Sequence, residues 1–388
     1  MSGLKGLVLL TDLRAGAGGI ERFNRQFFDA LSSSEGVTSL TVLPRIWSSA
    51  FLPDTALSPG GGEGLGEGES SRKPVEFIHP LGAREGKPGS RIGYFFSLLT
   101  LVLKKKKFDF IFCGHLRMVF LTALLAKIAK CRLWLQLHGV EAWHKPSNLI
   151  RWGAEQADWV TSVSRYTRRK FLEWANVAPE KVRVLPNTVD ERFSPGPKPV
   201  ELIKRCGLEE KKILLTVSRL SAGEHYKGQD RVIQIMPRLL QEHPNLIYVI
   251  AGDGDDRPRL ETLAHEKGVD GCIRFIGKVP ESELPDLYRM ADLFVMPSSG
   301  EGFGISFLEA AASGLPVIGG NQDGSVDALQ EGKMGQIVDP NNSVSLIQAI
   351  LRGLDSNHFQ KTESATPFSK ERFSAFVDQL LLTLEGRN

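Results

Sequence analysis

Four cysteines in 388 residues, none in a CxxC pair and none at metal-ligand spacing, give no support to a disulfide scaffold or a structural zinc site. Cys113, Cys131, Cys206 and Cys272 are scattered, which suits a reducing compartment. A membrane span is also missing: the apolar run IGYFFSLLTLVL at 92–103 has 12 residues, against the ~20 needed to cross a bilayer. The opening MSGLKGLVLLTDLRAG has only a four-residue apolar run before Asp12, too short for a secretory leader, and reads as a first strand. GxxxxGK[ST] does not occur, which removes a P-loop. Glu21 stands where a dinucleotide fingerprint needs its third glycine, so GxGxxG fails after Gly16 and Gly18. No repeat of fixed short period is visible.

What is present is the mix of a soluble globular chain, 41% hydrophobic and 24% charged. The length suits two domains better than one core. The net charge of +3 is unevenly spread: residues 1–195 hold 27 Lys and Arg against 18 Asp and Glu, +9, and residues 196–388 hold 21 against 27, −6. A basic half suggests contact with something anionic. Its charge concentrates in Lys104–Lys107, directly after the apolar 92–103 run, and in RYTRRK at 165–170. An apolar stretch ending in lysines suits an anionic membrane surface; a buried helix with a solvated lysine tail fits the same residues equally well.

Short apolar runs alternate with helix-period segments. GLVLLT (6–11), SLTVLP (39–44), DFIFCG (109–114), LWLQLHG (133–139), DWVTSVS (158–164) and VRVLPN (182–187) read as buried strands. The pattern restarts with KILLTVSRL (212–220), LIYVIAGDG (246–254), CIRFIG (272–277), DLFVMPS (292–298) and PVIGG (316–320). Strands and helices alternating in this way predict an α/β chain of two doubly wound, Rossmann-like parallel sheets. The proline-containing DERFSPGPKPVE separates the two series, which sets the expected domains at 1–191, with a returning C-terminal helix at about 370–388, and 192–369. The glycine-rich stretch 53–74 reads as a surface loop without chemistry.

Ligands of open parallel sheets sit beyond the carboxyl ends of the strands. After the first strand, Gly16, Gly18 and Gly19 open a helix, where exposed N–H groups favour an anion; taken alone, a turn serving only geometry explains them as well. After KILLTVSRL come Arg219 and Lys227, a cation pair suited to a diphosphate; two solvated surface charges would read the same, but the pair repeats the anion-site pattern of Gly16–Gly19. In SSGEGFGISFLEAAASGLPV, Glu301 stands among Gly300, Gly302 and Gly304, and Glu309 follows after seven residues. If wholly helical, that step would span about 12 Å, whereas glycosidase carboxylates stand roughly 5–9.5 Å apart. The spacing therefore disfavours a hydrolase pair. Two carboxylates flanking phosphate-friendly N–H groups follow the order of sugar, diphosphate and ribose in a nucleotide sugar. GDGDD at 252–256 invites a divalent cation, but directly after LIYVIA it reads as a strand-to-helix turn.

EGFGISFLE resembles the E-x7-E signature of the family 4 retaining glycosyltransferases, which have the GT-B fold. GAGGIERF, LHG, VSRYTR, PNTVD, SRL…KGQD, AGDGDDRPRLE, RFIGKV and YRMADLFVMPS fall in that family's order, so the resemblance covers nearly the whole chain. It implies that Glu301 binds donor-sugar hydroxyls and Glu309 the ribose. Gly302, Phe303 and Gly304 would meet sugar and diphosphate through their backbones, and Arg219 and Lys227 would bind the departing diphosphate. Gly18 and Gly19 would close over it from the other domain. His138 matches a histidine near the reacting face of the sugar, though a buried histidine capping a strand also fits; Lys278 and Val279, in FIGKV, match the part lining the base. One departure stands out. The family commonly shows Gly-Gly-x-x-Glu after the next strand, and here GGNQDGSVDAL offers Asp323 and Asp327, which the resemblance leaves unassigned.

The resemblance further implies retention of anomeric configuration without a protein nucleophile, and activity without metal or cofactor. The expected donor is a UDP- or GDP-hexose and the acceptor a glycan or a polyprenyl-diphosphate-linked glycan, as in cell-surface polysaccharide synthesis. The expected location is cytoplasmic, with peripheral contact at the inner face of the membrane resting on charge alone. Nucleic acid is not an expected partner. A nucleotide-sugar epimerase on the same fold and a non-catalytic nucleotide-sugar binder are the rival readings.

Overall fold

The computed structural model describes residues 3–13, 18–47, 74–79, 91–103, 107–355 and 366–385. They form two compact units, Met1–Val163 with Thr167–Leu185 and Glu371–Asn388, and Ser164–Tyr166 with Pro186–Lys370. Gly16, Lys104–Lys106 and residues 53–73 lie outside the described residues.

The first unit holds β1 (Leu4–Leu13), β2 (Val37–Trp47), β3 (Val75–Phe77), β4 (Phe110–Cys113), β5 (Arg132–Leu137), β6 (Trp159–Ser162) and β7 (Val182–Val184). They form one sheet in the order β3-β2-β1-β4-β5-β6-β7, with every pairing parallel. The central strands carry apolar runs, and Leu7, Val8, Leu9 and Leu10 of β1 are all fully buried. Helix Gly19–Ser33 places Phe23, Phe27 and Leu31 on one face at a four-residue spacing. The Phe27 ring stacks on Phe112 at 4.1 Å and meets Trp134 edge-on at 5.2 Å. Burying each such ring contributes about 2–3 kcal/mol. The C-terminal helix Lys370–Glu385 joins this unit from Glu371 on, with Phe373 edge-on to Phe23 at 5.9 Å.

The second unit holds β8 (Lys212–Val217), β9 (Leu246–Ala251), β10 (Ile273–Gly277), β11 (Leu293–Met296), β12 (Val317–Gly320) and β13 (Gln336–Val338). The order is β10-β9-β8-β11-β12-β13, again with every pairing parallel. Helix Gln229–Glu242 buries Val232, Met236 and Leu239 in the core that holds Leu214, Tyr248, Ile250 and Val295. Both units are therefore Rossmann-like α/β domains. Strand order reverses between β1 and β4 and between β8 and β11, and in open parallel sheets ligands bind at the carboxyl ends of the strands at such switch points.

β3 and β13 escape the sequence pattern. Each has three residues; none of β3 is buried, and only Val338 of β13 is. Edge strands covered on one side carry no continuous apolar run to read.

Candidate active site

The loops after β8, β11 and β12 meet at the carboxyl end of the second sheet. Glycine lets them do so. A Cβ on Gly324 would lie 2.1 Å from the carbonyl oxygen of Gly302. Gly304, at φ +89°, turns the chain from the Glu301 loop into helix Ile305–Ala312 through a backbone region that side chains disfavour.

Four charged groups gather there. The Lys227 ammonium donates to Glu301 Oε1 at 2.8 Å and stands 3.6 Å from Glu224 Oε2. The other oxygen of Glu224 accepts from Arg219 Nη2. Lys227 is buried, with 8% of its surface exposed, whereas the Arg219 side chain is 73% exposed. Burial pushes the Lys227 pKa down, but the Glu301 and Glu224 carboxylates outweigh it and hold the ammonium above its ordinary range. The half-buried phenol of Tyr226 is pushed up, first by desolvation and then by Glu301 and Glu224.

Asp323 fixes the Glu301 loop from beneath. Its Oδ2 accepts the Glu301 N–H at 2.7 Å and the Ser298 hydroxyl at 2.8 Å, and its Oδ1 accepts the Ser325 N–H at 2.9 Å. Burial at 1% exposure raises the Asp323 pKa despite these bonds. Asp327 pairs instead with Arg165, which belongs to the same unit. Glu309, in the second turn of helix Ile305–Ala312, is 3% exposed, and its Oε2 accepts from the Tyr288 hydroxyl at 2.7 Å. The GDGDD acids are used by protein donors. Asp253 accepts the Gly254 N–H, Asp255 the Ala222 N–H, and Asp256 pairs with Arg259 and His225.

In the first unit, His138 directly follows β5. Its Nε2 lies 2.9 Å from the Gly114 carbonyl, a contact that requires the hydrogen on Nε2 and leaves Nδ1 as an acceptor. Its own N–H donates to Glu141 Oε1 at 2.6 Å, and Phe23 stands edge-on at 5.1 Å. Burial lowers the pKa of His138, outweighing the Glu141 charge, so the ring is neutral near pH 7. Gly18 precedes helix Gly19–Ser33, and Glu21 folds back so that a Cβ on Gly18 would lie 1.8 Å from its carboxylate.

Two family models match in tandem, Glycosyltransferase Family 4 over residues 17–193 and Glycosyl transferases group 1 over residues 201–371. An uncharacterized glycosyltransferase of Methanocaldococcus jannaschii, MJ1607, is 30% identical over 279 residues, covering 67% of this chain and 70% of its own length. The chain belongs to the family 4 glycosyltransferases. A GDP-mannose-dependent α-(1-6)-phosphatidylinositol monomannoside mannosyltransferase of Mycobacterium tuberculosis is 36% identical over 200 residues, 50% of this chain and 51% of that protein. The chain thus spans about half the length of the first such relatives. The crystal structure of Anabaena HepE in complex with UDP superposes with a TM-score of 0.75 at 19% identity, over 98% of this chain and 100% of that one. At that identity the likeness concerns the fold, which is GT-B.

Within this family 4 member the structure brings Arg219, Lys227 and Glu301 together, while Glu309 is held separately by Tyr288. Gly302 and the buried Phe303 continue the Glu301 loop, and Phe303 packs against Phe368. Lys278 is exposed and Val279 half-buried, immediately after β10. Sequence reasoning overlooked Glu224 and left Asp323 unassigned. Glu224 had a legible signal, an acid lying between two cations expected to bind an anion. Asp323 had none, since its role depends on which loop lies beside it.

Proposed function

We propose that this chain moves a hexosyl group, with retention of configuration and without a metal, from a nucleoside-diphosphate sugar to a hydroxyl of a glycan or lipid-linked acceptor. The observation that carries this reading is the ion pair of the buried Lys227 with Glu301, beside Arg219 at the carboxyl end of the second sheet. An ammonium has three donors, so Lys227 can keep Glu301 in place and still donate to a phosphate oxygen. A carboxylate such as that of Glu301 accepts hydrogen bonds and so suits sugar hydroxyls. Cations fixed where the leaving diphosphate gathers charge supply the electrostatic help that breaking the glycosidic bond requires. GDP-mannose is the first donor to test, because the mycobacterial relative, similar over half its length, is named for it; UDP-hexoses are the second.

Thermal stabilisation by GDP-, UDP- and ADP-sugars, followed by transfer assays with lipid-linked and glycan acceptors, tests the reading. A shift by one nucleotide class that disappears in Glu309→Ala supports it, and absence of a shift with every donor refutes it. Activity in EDTA is expected to equal that in its absence; loss restored by manganese would overturn the metal-independent reading.

Peripheral membrane contact is part of the proposal. Among the described residues no helix is long and apolar enough to cross a membrane. Helix Arg91–Leu103 buries Tyr94, Leu98 and Leu101, while Phe96 is 50% exposed, and Lys107, Lys127 and Lys130 lie exposed in the same unit. Flotation with anionic liposomes is expected to carry the protein upward, and protein remaining at the bottom of the gradient would exclude this contact.

A further inference from the structure

We propose that Glu224 is a built-in competitor of the diphosphate, holding Arg219 and facing Lys227 and releasing both when a nucleotide binds. This rests on the nucleotide-sugar reading of the same site.

Glu224 lies in the loop after β8, where its backbone (φ −122°, ψ 30°) breaks the tight turn Ala222–Lys227. One carboxylate oxygen accepts from Arg219; the other is buried, 3.6 Å from the Lys227 ammonium, and accepts no hydrogen bond among the described residues. A buried carboxylate oxygen without a donor is unfavourable unless charge attraction keeps it there. Arg219 and Lys227 supply that attraction. The cluster of Arg219, Lys227, Glu224 and Glu301 therefore sums to zero charge, a poor receptor for a dianion. Displacing Glu224 returns one positive charge to the site.

The two carboxylates differ in how free they are to leave. Glu301 is tethered through its own N–H to Asp323 and through its side chain to the buried Lys227. Glu224 is hydrogen-bonded only through Arg219, which faces solvent, where an ion pair exchanges readily, and it faces Lys227 at 3.6 Å without a hydrogen bond among the described residues. The loop backbone is held on either side, by Asp255 at the Ala222 N–H and by the Ser299 N–H at the Tyr226 carbonyl. With Ala222 and Gly223 exposed, rotation of the Glu224 side chain alone is enough to free Arg219. The same carboxylate then returns to help expel the nucleoside diphosphate product.

The test is calorimetric titration of GDP, UDP and ADP into the full chain, unsubstituted and as Glu224→Gln, which keeps the size and one acceptor for Arg219 but removes the charge. The nucleotide that binds is expected to do so on the order of tenfold more tightly in the variant, as removal of one opposing charge whose partner Arg219 faces solvent predicts. In an Arg219→Ala background the gain is expected to shrink. Unchanged or weaker binding by Glu224→Gln overturns the proposal, because it would mean that Glu224 only positions Arg219. Glu224→Ala provides the same comparison if the glutamine variant fails to fold. Failure of the unsubstituted protein to bind any of the three nucleotides would instead overturn the nucleotide-sugar reading itself, so the two failures are distinguishable.

Discussion

Asp323 accepts the backbone N–H of Glu301 at 2.7 Å, so a carboxylate on the loop after β12 sets the position of a residue on the loop after β11. The same oxygen holds the Ser298 hydroxyl, and its partner oxygen holds the Ser325 N–H. Asp323→Ala removes the acceptor of the Glu301 and Ser325 N–H groups and of the Ser298 hydroxyl, and is expected to cost about 2–4 kcal/mol of stability. Asp323→Asn keeps one acceptor and is expected to cost less. Denaturant unfolding measures both, and an alanine variant as stable as the parent would show that water replaces the carboxylate.

Lys227→Met removes the buried charge between Glu301 and Glu224 while keeping most of the side-chain volume. Transfer efficiency is expected to fall about 10²–10³-fold, the range for losing one fixed group at a developing charge. Lys227→Arg, which keeps the charge with a different shape, is expected to recover part of the loss. Steady-state kinetics with the donor identified by thermal shift check this, and near-parental kcat/KM in the methionine variant would remove Lys227 from the chemistry.

Gly324→Ala places a methyl 2.1 Å from the Gly302 carbonyl oxygen, a backbone atom that cannot yield without moving the Glu301 loop. Stability is expected to fall by about 1–3 kcal/mol, with donor binding weakened more than the global fold. Circular dichroism alongside nucleotide titration separates the two effects; intact donor affinity would show that the loop tolerates displacement.

Acid should destabilise the first unit through its histidines. Burial lowers the pKa of His115 from the ordinary 6.5 to about 4, and the nearby His138, 6.1 Å away by ring centre, is shifted in the same direction. Glu141 opposes both shifts, while Arg117 adds to that of His115. Below pH 6.5 the unfolded chain takes up protons that the folded chain refuses, so stability is lost progressively down to about pH 4 and no further on account of His115. Melting midpoints between pH 7.5 and 4.5 should fall, and fall less in His115→Gln. An identical slope in the two proteins would contradict this.

The sequence alone determined the doubly wound architecture, because strands covered on both faces must be apolar along their whole length. It also determined which residues stand at strand ends, since the apolar runs stop there: Arg219 after β8, Glu301 after β11, His138 after β5. Glycines marked the loops whose backbones approach closely. Tertiary structure alone decided who meets whom. Lys227 and Glu301 are 74 residues apart and touch because β8 and β11 are neighbours in the sheet, an order no local pattern encodes. Asp323 reaches Glu301 because β12 pairs with β11, and Tyr288 reaches Glu309 because their helices pack side by side. Hydrophobic periodicity reports which face of a segment is buried; it carries no information about the partner across the interface, and that partner is what turns separate charges into a site.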